Sequence, residues 1–290
     1  MKKSSNIYKI FIYIALLALA ISIIIPVLWV FMASIKENKE FYTSPWNLPA
    51  SVYIQNFVNA FNKAKMGEYF LNSIILTALS LGILLVIALP ASYVLARFEF
   101  RFKKLINIMY MAGLFINVNY IVVPIFIMLL DWDKKIYECF GNTFFIDNIV
   151  VLAIIYAATA IPFTVYLLTS YFKTISKCYE EAAYIDGYSY SQTMVKIMFP
   201  LAKPAIVTVI LFNFLAFWNE YIIALTLLPG KNSAKTLPIG LTNLTQAARG
   251  RAEYGMLYAG LVIVMLPTLI LYILVQRRLT EGMTVGGLKD

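Results

Sequence analysis

The chain has 290 residues, of which 61% are apolar and only 13% are charged, well below the roughly 25% of charged residues in an average soluble domain. Its net charge is +9 and it contains no histidine, which excludes histidine-based acid–base catalysis and most zinc sites. This composition indicates a membrane protein.

Six intervals of the chain are long and apolar enough to cross a membrane. Five contain no charged residue, and the sixth, 204–230, is interrupted only by Glu220. Because about 18 or more consecutive uncharged residues predict a transmembrane helix, we predict an all-α polytopic membrane protein. Its single transmembrane domain over 1–290 contains six predicted helices, at 10–35, 69–96, 105–130, 148–172, 204–229 and 254–276.

The distribution of Lys and Arg predicts which side of the membrane each connection faces. An even number of spans places both termini on one side. If that side is the cytoplasm, the inner segments carry 14 basic residues and the outer segments carry 10. Cytoplasmic loops carry the excess in membrane proteins, so both termini are predicted to be cytoplasmic. The net charge then reflects topology and predicts no nucleic-acid partner.

One carboxylate, Glu220 in "FNFLAFWNEYIIAL", lies within the fifth predicted span. A carboxylate at the centre of a spanning helix costs about 2.5 to 3.5 kcal/mol unless it is paired or faces water. Asn213 lies seven residues earlier on the same helical face, and Trp218 and Asn219 are adjacent. We expect these side chains to line a path for a hydroxyl-rich solute. The alternative for Glu220 is a pairing that holds the subunits or a gate together.

A second polar face is predicted in the third span. Asn117 and Tyr120 are three residues apart and so share a helical face, whereas Asn119 is expected to point elsewhere. Together with the fifth span, Asn117 and Tyr120 extend the predicted solute path. The alternative for Asn117 and Asn213 is a hydrogen-bond network between helices.

The predicted inner loop 173–203 is long for a mere connection. Residues 180–185 contain strong helix formers, and Gly187 follows at the position where a helix commonly ends in a left-handed conformation. Ser189 and Gln192 form a capping-box pattern, which predicts a second helix. The mixture of apolar and acidic residues favours a protein partner with a basic-rimmed groove over an anionic lipid surface.

A motif within this loop resembles a known family. Glu-Ala-Ala is followed after three residues by Gly, after nine more by Ile, and after one more by Phe-Pro. This spacing resembles the EAA loop of ATP-binding-cassette importer permeases, with Phe199 in place of the usual leucine. The resemblance assigns ATPase coupling to Glu181, Ala182, Ala183, Asp186, Gly187, Ile197 and Pro200.

Other segments narrow the resemblance to the carbohydrate-uptake branch, in particular to its MalG-like subunit. They extend over most of the chain: "YVLARFEFRFKK", "FWNEYIIALTLL", "TLPIGL" and "LTEGMTVGGLKD". The implied fold is the MetI/MalG-like importer transmembrane domain, with a cytoplasmic helix–turn–helix coupling loop. In two places the loop departs from the family pattern, with Ser176 where a proline is usual and Tyr188 where a small residue is usual.

The resemblance implies a permease subunit of an ATP-driven importer that moves a sugar or oligosaccharide across the bacterial cytoplasmic membrane. Its implied partners are a MalF-like second permease, two ATPase subunits and an extracellular solute-binding protein, in a lipid membrane. ATP and Mg²⁺ would be bound by the ATPase, and no cofactor or metal by this chain. Glu181 would make polar or ionic contact in a cleft of the ATPase, and Gly187 would permit the turn.

Three alternatives are weighed against this interpretation. An importer permease for a non-sugar solute would share the architecture. An ion-coupled secondary transporter would need more intramembrane ionisable residues than Glu220. A membrane enzyme using Glu220 or Asp186 is disfavoured because histidine and paired intramembrane carboxylates are absent from the sequence. The segment "PGKNSAK" lacks the first glycine and the Ser or Thr of a phosphate loop, so no enzymatic activity is expected of the chain.

Overall fold

A computed structural model describes the backbone of residues 2–230, 234–251 and 253–284, and the side chains of 8–230, 234–246 and 253–276. All regular secondary structure in these residues is helical. The α-helices are α1 (Lys2–Ser34), α2 (Asn38–Thr43), α3 (Gln55–Asn62), α4 (Met66–Arg97), α5 (Lys103–Leu114), α6 (Val118–Phe140), α7 (Ile149–Thr174), α8 (Cys178–Ile185), α9 (Tyr190–Thr193), α10 (Phe199–Leu201), α11 (Lys203–Trp218), α12 (Ile222–Leu227), α13 (Leu237–Arg251) and α14 (Tyr254–Thr284).

Four helical segments are individually long and apolar enough to cross a membrane. Lipid offers no hydrogen bonds to the backbone, so an uncharged run of this length is helical because a helix satisfies every N–H and C=O within the segment. The four coincide with the predicted spans 10–35, 69–96, 148–172 and 254–276. They are Tyr8–Ser34, Met66–Arg97, Ile149–Thr174 and Tyr254–Gln276.

The third predicted span, 105–130, is not one helix. α5 ends at Leu114 and α6 begins at Val118, and their axes differ by 102°. Asn117 has an extended backbone at this break, and its Oδ1 accepts the Asn119 N–H at 3.0 Å, which caps α6. The prediction of a continuous helix here is wrong, because an uncharged run does not reveal that Asn favours a cap over a helix interior.

The fifth predicted span, 204–229, is also interrupted. α11 ends at Trp218 and α12 begins at Ile222, with non-helical residues between them. A further bend of 74° separates α11 from the helical run Tyr190–Leu201 that precedes it. Counting each bent pair of helices as one crossing gives up to six spans, so the number six stays a prediction.

The short helix α12 is held at both ends by carboxylates. At its start, the Glu220 oxygens accept the N–H groups of Ile223 and Ala224 at 2.8 and 3.0 Å. Beyond its end, the Asp147 Oδ1 accepts the Gly230 N–H at 2.8 Å. Isolated helices shorter than about 12 residues have marginal stability in water. The Glu220 bonds therefore help to fix the start of α12, and the Asp147 bond fixes the chain shortly after its end.

Internal contacts divide the chain into two compact units, Met1–Glu68 with Gly240–Pro267, and Tyr69–Ile239 with Thr268–Asp290. The single domain over 1–290 stays a prediction. The first unit has a small core, which contains Ala60, Leu244, Met256, Leu257 and Ala259. The second unit has a larger core from α4, α6, α7 and α12, which includes Leu84, Leu152, Ala157, Ala224 and Leu227. Its other core lies beneath α8–α10 and includes Tyr93, Phe172, Met198 and Val209.

A buried carboxylate organises the connection between α6 and α7. Asp133 is 2% exposed, and its two oxygens accept the N–H groups of Phe144, Phe145 and Ile146 at 2.7, 2.7 and 2.8 Å. Gly141, with a φ of 72°, ends α6 in the left-handed conformation and begins this connection. A single side chain therefore fixes three consecutive backbone groups.

Asp133→Asn should destabilise the protein, because an amide has one acceptor oxygen and its NH₂ group would face a backbone donor. We expect the free energy of unfolding to fall by about 2 to 4 kcal/mol, measured by denaturation of the purified protein in detergent. Asp131→Asn is the matched control, since that carboxylate is exposed and lies 3.5 Å from the Lys134 Nζ at the surface. Equal stabilities of the two variants would contradict the prediction.

Candidate functional site: a surface hairpin and a polar cavity

The surface hairpin, residues 176–201, begins with α8. The Ser176 Oγ accepts the Cys178 N–H at 3.3 Å, so the hydroxyl satisfies a backbone donor at the helix start. Glu180 and Glu181 lie in the first turn, where negative charge complements the helix dipole. A helix therefore begins at Cys178 although Ser176 replaces the usual proline.

The left-handed turn predicted at Gly187 is present. Its φ is 81°, in the region that glycine occupies without strain. The Gly187 N–H donates to the Tyr184 carbonyl at 3.1 Å, and the Tyr188 N–H donates to the Ala183 carbonyl at 2.9 Å. These two bonds form a Schellman motif, which satisfies carbonyl groups at the end of α8 and reverses the chain.

The second helix of the hairpin begins with the predicted capping box. The Ser189 Oγ accepts the Gln192 N–H at 3.4 Å, and the Gln192 Oε1 accepts the Ser189 N–H at 2.9 Å. The helix continues through α9, a π-helical segment at Met194–Met198 and α10. It ends at Leu201.

Two aromatic departures from the family pattern have contacts within this region. The Tyr188 ring lies 5.6 Å from the Lys196 Nζ, in a cation–π contact between the turn and the second arm of the hairpin. The Phe199 ring packs against Phe172 of α7, with 6.2 Å between ring centroids. Both substitutions are therefore accommodated by packing.

The predicted coupling residues differ in exposure. Ala183 is buried and Ile197 is half-buried, so these two hold the hairpin together. Ile185, which is not in the motif, is 86% exposed. The remaining motif residues face solvent: Glu181, Ala182, Asp186, Gly187 and Pro200. The structure thus brings acidic and apolar groups together on one exposed element.

A buried ion pair at the base of the hairpin goes beyond what the sequence predicts. The Arg97 Nε lies 3.1 Å from the Glu180 Oε2, and both side chains are less than a tenth exposed. The Tyr93 hydroxyl donates to the Glu180 Oε1 at 2.7 Å. A sequence signal exists, because Glu180 and the buried Ala183 are three residues apart and share a helical face that Glu181 does not.

A polar cavity of about 430 Å³ lies between the start of α6, α7 and the break between α11 and α12. This volume is within the range of about 300 to 1,000 Å³ that is typical of small-molecule sites. Its aromatic walls come from Phe163, Phe212 and Phe217. Its polar lining consists of Asn117, Asn119, Tyr156, Thr159, Asn213 and Glu220.

Three of the six predicted path residues, Asn117, Asn213 and Glu220, line this cavity. Asn119 lines it as well, although we expected that side chain to point elsewhere. The expectation is wrong because it assumed an unbroken helix, whereas the break at Asn117 resets the direction of the following side chains.

Tyr120, Trp218 and Asn219 do not line the cavity. Tyr120 is 81% exposed. Trp218 is 2% exposed and stacks on Phe214, with 5.5 Å between ring centroids, so its faces are taken by packing. The Asn219 amide donates to the Leu215 carbonyl of its own helix at 2.8 Å. Their assignment to the path stays a prediction.

Glu220 is paired within the chain, and Asn213 makes the hydrogen bond between helices that the sequence left open as an alternative. The Tyr156 hydroxyl donates to the Glu220 Oε2 at 2.6 Å, which pairs the carboxylate across two helices. The Asn213 amide donates to the Thr164 Oγ1 at 3.0 Å, between α11 and α7. Glu220 and Asn213 therefore make structural bonds while also lining the cavity.

Comparison with known proteins identifies relatives along nearly the whole chain. Diacetylchitobiose uptake system permease protein NgcG of Streptomyces coelicolor is 33% identical over 267 residues, which cover 92% of this chain and 84% of that protein. Trehalose/maltose transport system permease protein MalG of Thermococcus litoralis is 30% identical over 283 residues, which cover 97% of each. Probable ABC transporter permease protein YurM of Bacillus subtilis is 34% identical over 280 residues, covering 97% of this chain and 87% of that protein.

The fold is also found in a solved structure. A crystal structure of a bacterial ABC transporter involved in the import of the acidic polysaccharide alginate matches with a TM-score of 0.77 and 23% identity, over 96% of this chain and 98% of that one. The family described as binding-protein-dependent transport system inner membrane component matches residues 88–284. The chain therefore belongs to the inner membrane components of binding-protein-dependent transport systems, the permease subunits of ATP-binding-cassette importers.

Proposed function

We propose that this chain is the permease subunit of an ATP-driven importer that moves a sugar or oligosaccharide across the bacterial cytoplasmic membrane. The observation that carries the proposal is the hairpin, where the spacing of the motif coincides with a protruding helix–turn–helix fixed by Gly187. The relatives named for diacetylchitobiose and for trehalose and maltose support a carbohydrate as the solute.

The hairpin docks in a cleft of a cytoplasmic ATPase subunit. Glu181 and Asp186 supply exposed negative charge, and Ile185, which is 86% exposed, supplies an apolar contact. Exposed apolar groups rimmed by charge are typical of interaction sites. The ATPase subunits bind ATP and Mg²⁺ and then close on each other. This closure moves the hairpin, and with it the helices that line the cavity.

The cavity receives the solute during its passage. Asn117, Asn119 and Thr159 offer hydrogen bonds to hydroxyl groups, and Phe163 and Phe212 offer apolar faces. A few polar groups placed on aromatic walls are the usual composition of a small-molecule site. Glu220 is bonded to Tyr156 and to α12, so it shapes the cavity more than it binds the solute.

The complete importer contains a MalF-like second permease, two ATPase subunits and an extracellular solute-binding protein. Both termini of this chain and the hairpin lie on the cytoplasmic side, in keeping with the excess of Lys and Arg there. Residues 285–290, which include the end of the family-like tail, lie outside the described residues.

Gly187→Val should detach the ATPase. A left-handed conformation costs a residue with a Cβ roughly 1–2 kcal/mol, and more for a β-branched side chain, although the new Cβ meets no atom within 4 Å. We expect at least about a tenfold loss of ATPase co-purification and of ATP-dependent uptake, with unchanged amounts in the membrane. Gly187→Asn is the matched control, because Asn tolerates this conformation. Wild-type uptake by the Val variant would contradict the prediction.

Asn119→Ala should weaken recognition of the solute. Losing one hydrogen bond of about 1 kcal/mol raises the KM for uptake about fivefold, with ATPase co-purification unchanged. Asn219→Ala, outside the cavity lining, should leave the KM unchanged. The measurement is uptake of radiolabelled trehalose, maltose and diacetylchitobiose, with an amino acid as comparison, into proteoliposomes containing the importer. Uptake of the amino acid alone would favour a non-sugar solute.

A further inference from the structure

Arg97 joins three helical elements at one point. It is the last residue of α4, and its Nη2 donates to the Ile175 carbonyl, at the end of α7, at 2.7 Å. Its Nε lies 3.1 Å from the Glu180 Oε2 of α8. This N–H is not aimed along the line to the oxygen, so the contact is an ion pair and not a hydrogen bond. One guanidinium therefore connects the end of α4 to the start of the link into the hairpin and to α8.

Tyr93 adds a second bond to the same carboxylate. It lies one turn before Arg97 on α4, and its hydroxyl donates to the Glu180 Oε1 at 2.7 Å. Its ring is 2% exposed and packs edge-on against Phe172 of α7 at 5.8 Å and against Phe98 at 5.9 Å. Both oxygens of Glu180 are thus held by α4, in a site closed by aromatic rings.

The burial of this cluster sets it apart from the other ion pairs of the same region. The Arg97 and Glu180 side chains are 7% and 8% exposed, whereas Glu99, which pairs with Lys103 at 2.7 Å, is 87% exposed. A buried ion pair adds little net stability, but removing one partner leaves an uncompensated buried charge. Such a pair is suited to fixing one orientation of the elements that it joins.

The link from α7 to α8 is only three residues long, 175–177, and Arg97 binds its first carbonyl group. With Glu180 also held, α8 lacks freedom to turn about this link independently of α4. If the hairpin docks on a moving partner, it transmits the movement to α4 only when the two elements are rigidly connected.

We propose that Arg97, Glu180 and Tyr93 are positioning residues that lock the hairpin to α4, so that movement of the hairpin is transmitted to α4 and not lost in the link. This proposal rests on the proposed function, because it assigns the ATPase as the source of that movement. Glu181, exposed on the neighbouring face, contacts the ATPase, whereas Glu180 faces inward and carries the movement onward.

The first test uses the complete importer in proteoliposomes and measures ATP hydrolysed per trehalose, maltose or diacetylchitobiose imported. Glu180→Gln and Arg97→Gln should raise this ratio about fivefold, within the range for residues in coupling networks, while ATPase co-purification stays at the wild-type level. Glu99→Gln is the matched control and should leave the ratio unchanged. A lower amount of importer with a wild-type ratio would show a merely structural role and overturn the proposal.

Tyr93→Phe keeps the ring packing and removes one hydrogen bond to Glu180, so it tests the proposal if the charge variants fail to fold. The ATP hydrolysed per solute imported should rise by about twofold in this variant. A wild-type ratio would contradict the proposal.

The second test needs neither solute nor ATPase. The chain has two cysteines, and both Cys139 and Cys178 are exposed. In a Cys139→Ser background, a nitroxide on Cys178 reports the mobility of α8. Glu180→Gln should increase this mobility and Glu99→Gln should not, and equal mobility would overturn the proposal. A wild-type chain that binds no ATPase would instead contradict the proposed function.

Discussion

Backbone N–H and C=O groups in lipid have no water to bond, so each interruption of a spanning helix leaves several such groups to be satisfied by side chains. Within the described residues, each of the two interrupted predicted spans has one polar side chain that accepts one or two N–H groups of the following helix. Asn117 caps α6, and Glu220 accepts two N–H groups at the start of α12. The same two side chains line the cavity. The cavity is polar because its walls contain the residues that make irregular backbone tolerable there.

The hairpin follows the same physical logic at the surface. Its turn exists because Gly187 allows a left-handed backbone whose N–H groups reach back to the end of α8. The hairpin is attached to α4 because Arg97 and Tyr93 bind the buried carboxylate of Glu180, which would otherwise have no partner. In α8, the motif residues Glu181 and Ala182 are therefore exposed, whereas Glu180 of the ion pair and the motif residue Ala183 are buried.

The sequence predicts some of this structure well, for identifiable reasons. Uncharged runs and the capping box of Ser189 and Gln192 are local patterns, and the helices that they predict are present. The breaks at Asn117 and at residues 219–221 depend on side chains bonding nearby backbone, which competes with helix formation and leaves no trace in hydropathy. Trp218 illustrates the limit for site residues, because a residue type suited to stacking on a sugar is used here to pack against Phe214.

The pair of carboxylates at the two ends of α12 also restricts how this region tolerates changes in length. Glu220 accepts the N–H groups of Ile223 and Ala224, and Asp147 accepts that of Gly230, seven and six residues further along the chain. One inserted residue within α12 would rotate everything after it by about 100° and advance it by about 1.5 Å, so that only one of the two carboxylates would keep its donors. Chains that share this architecture are therefore expected to keep the number of residues between these two anchors constant.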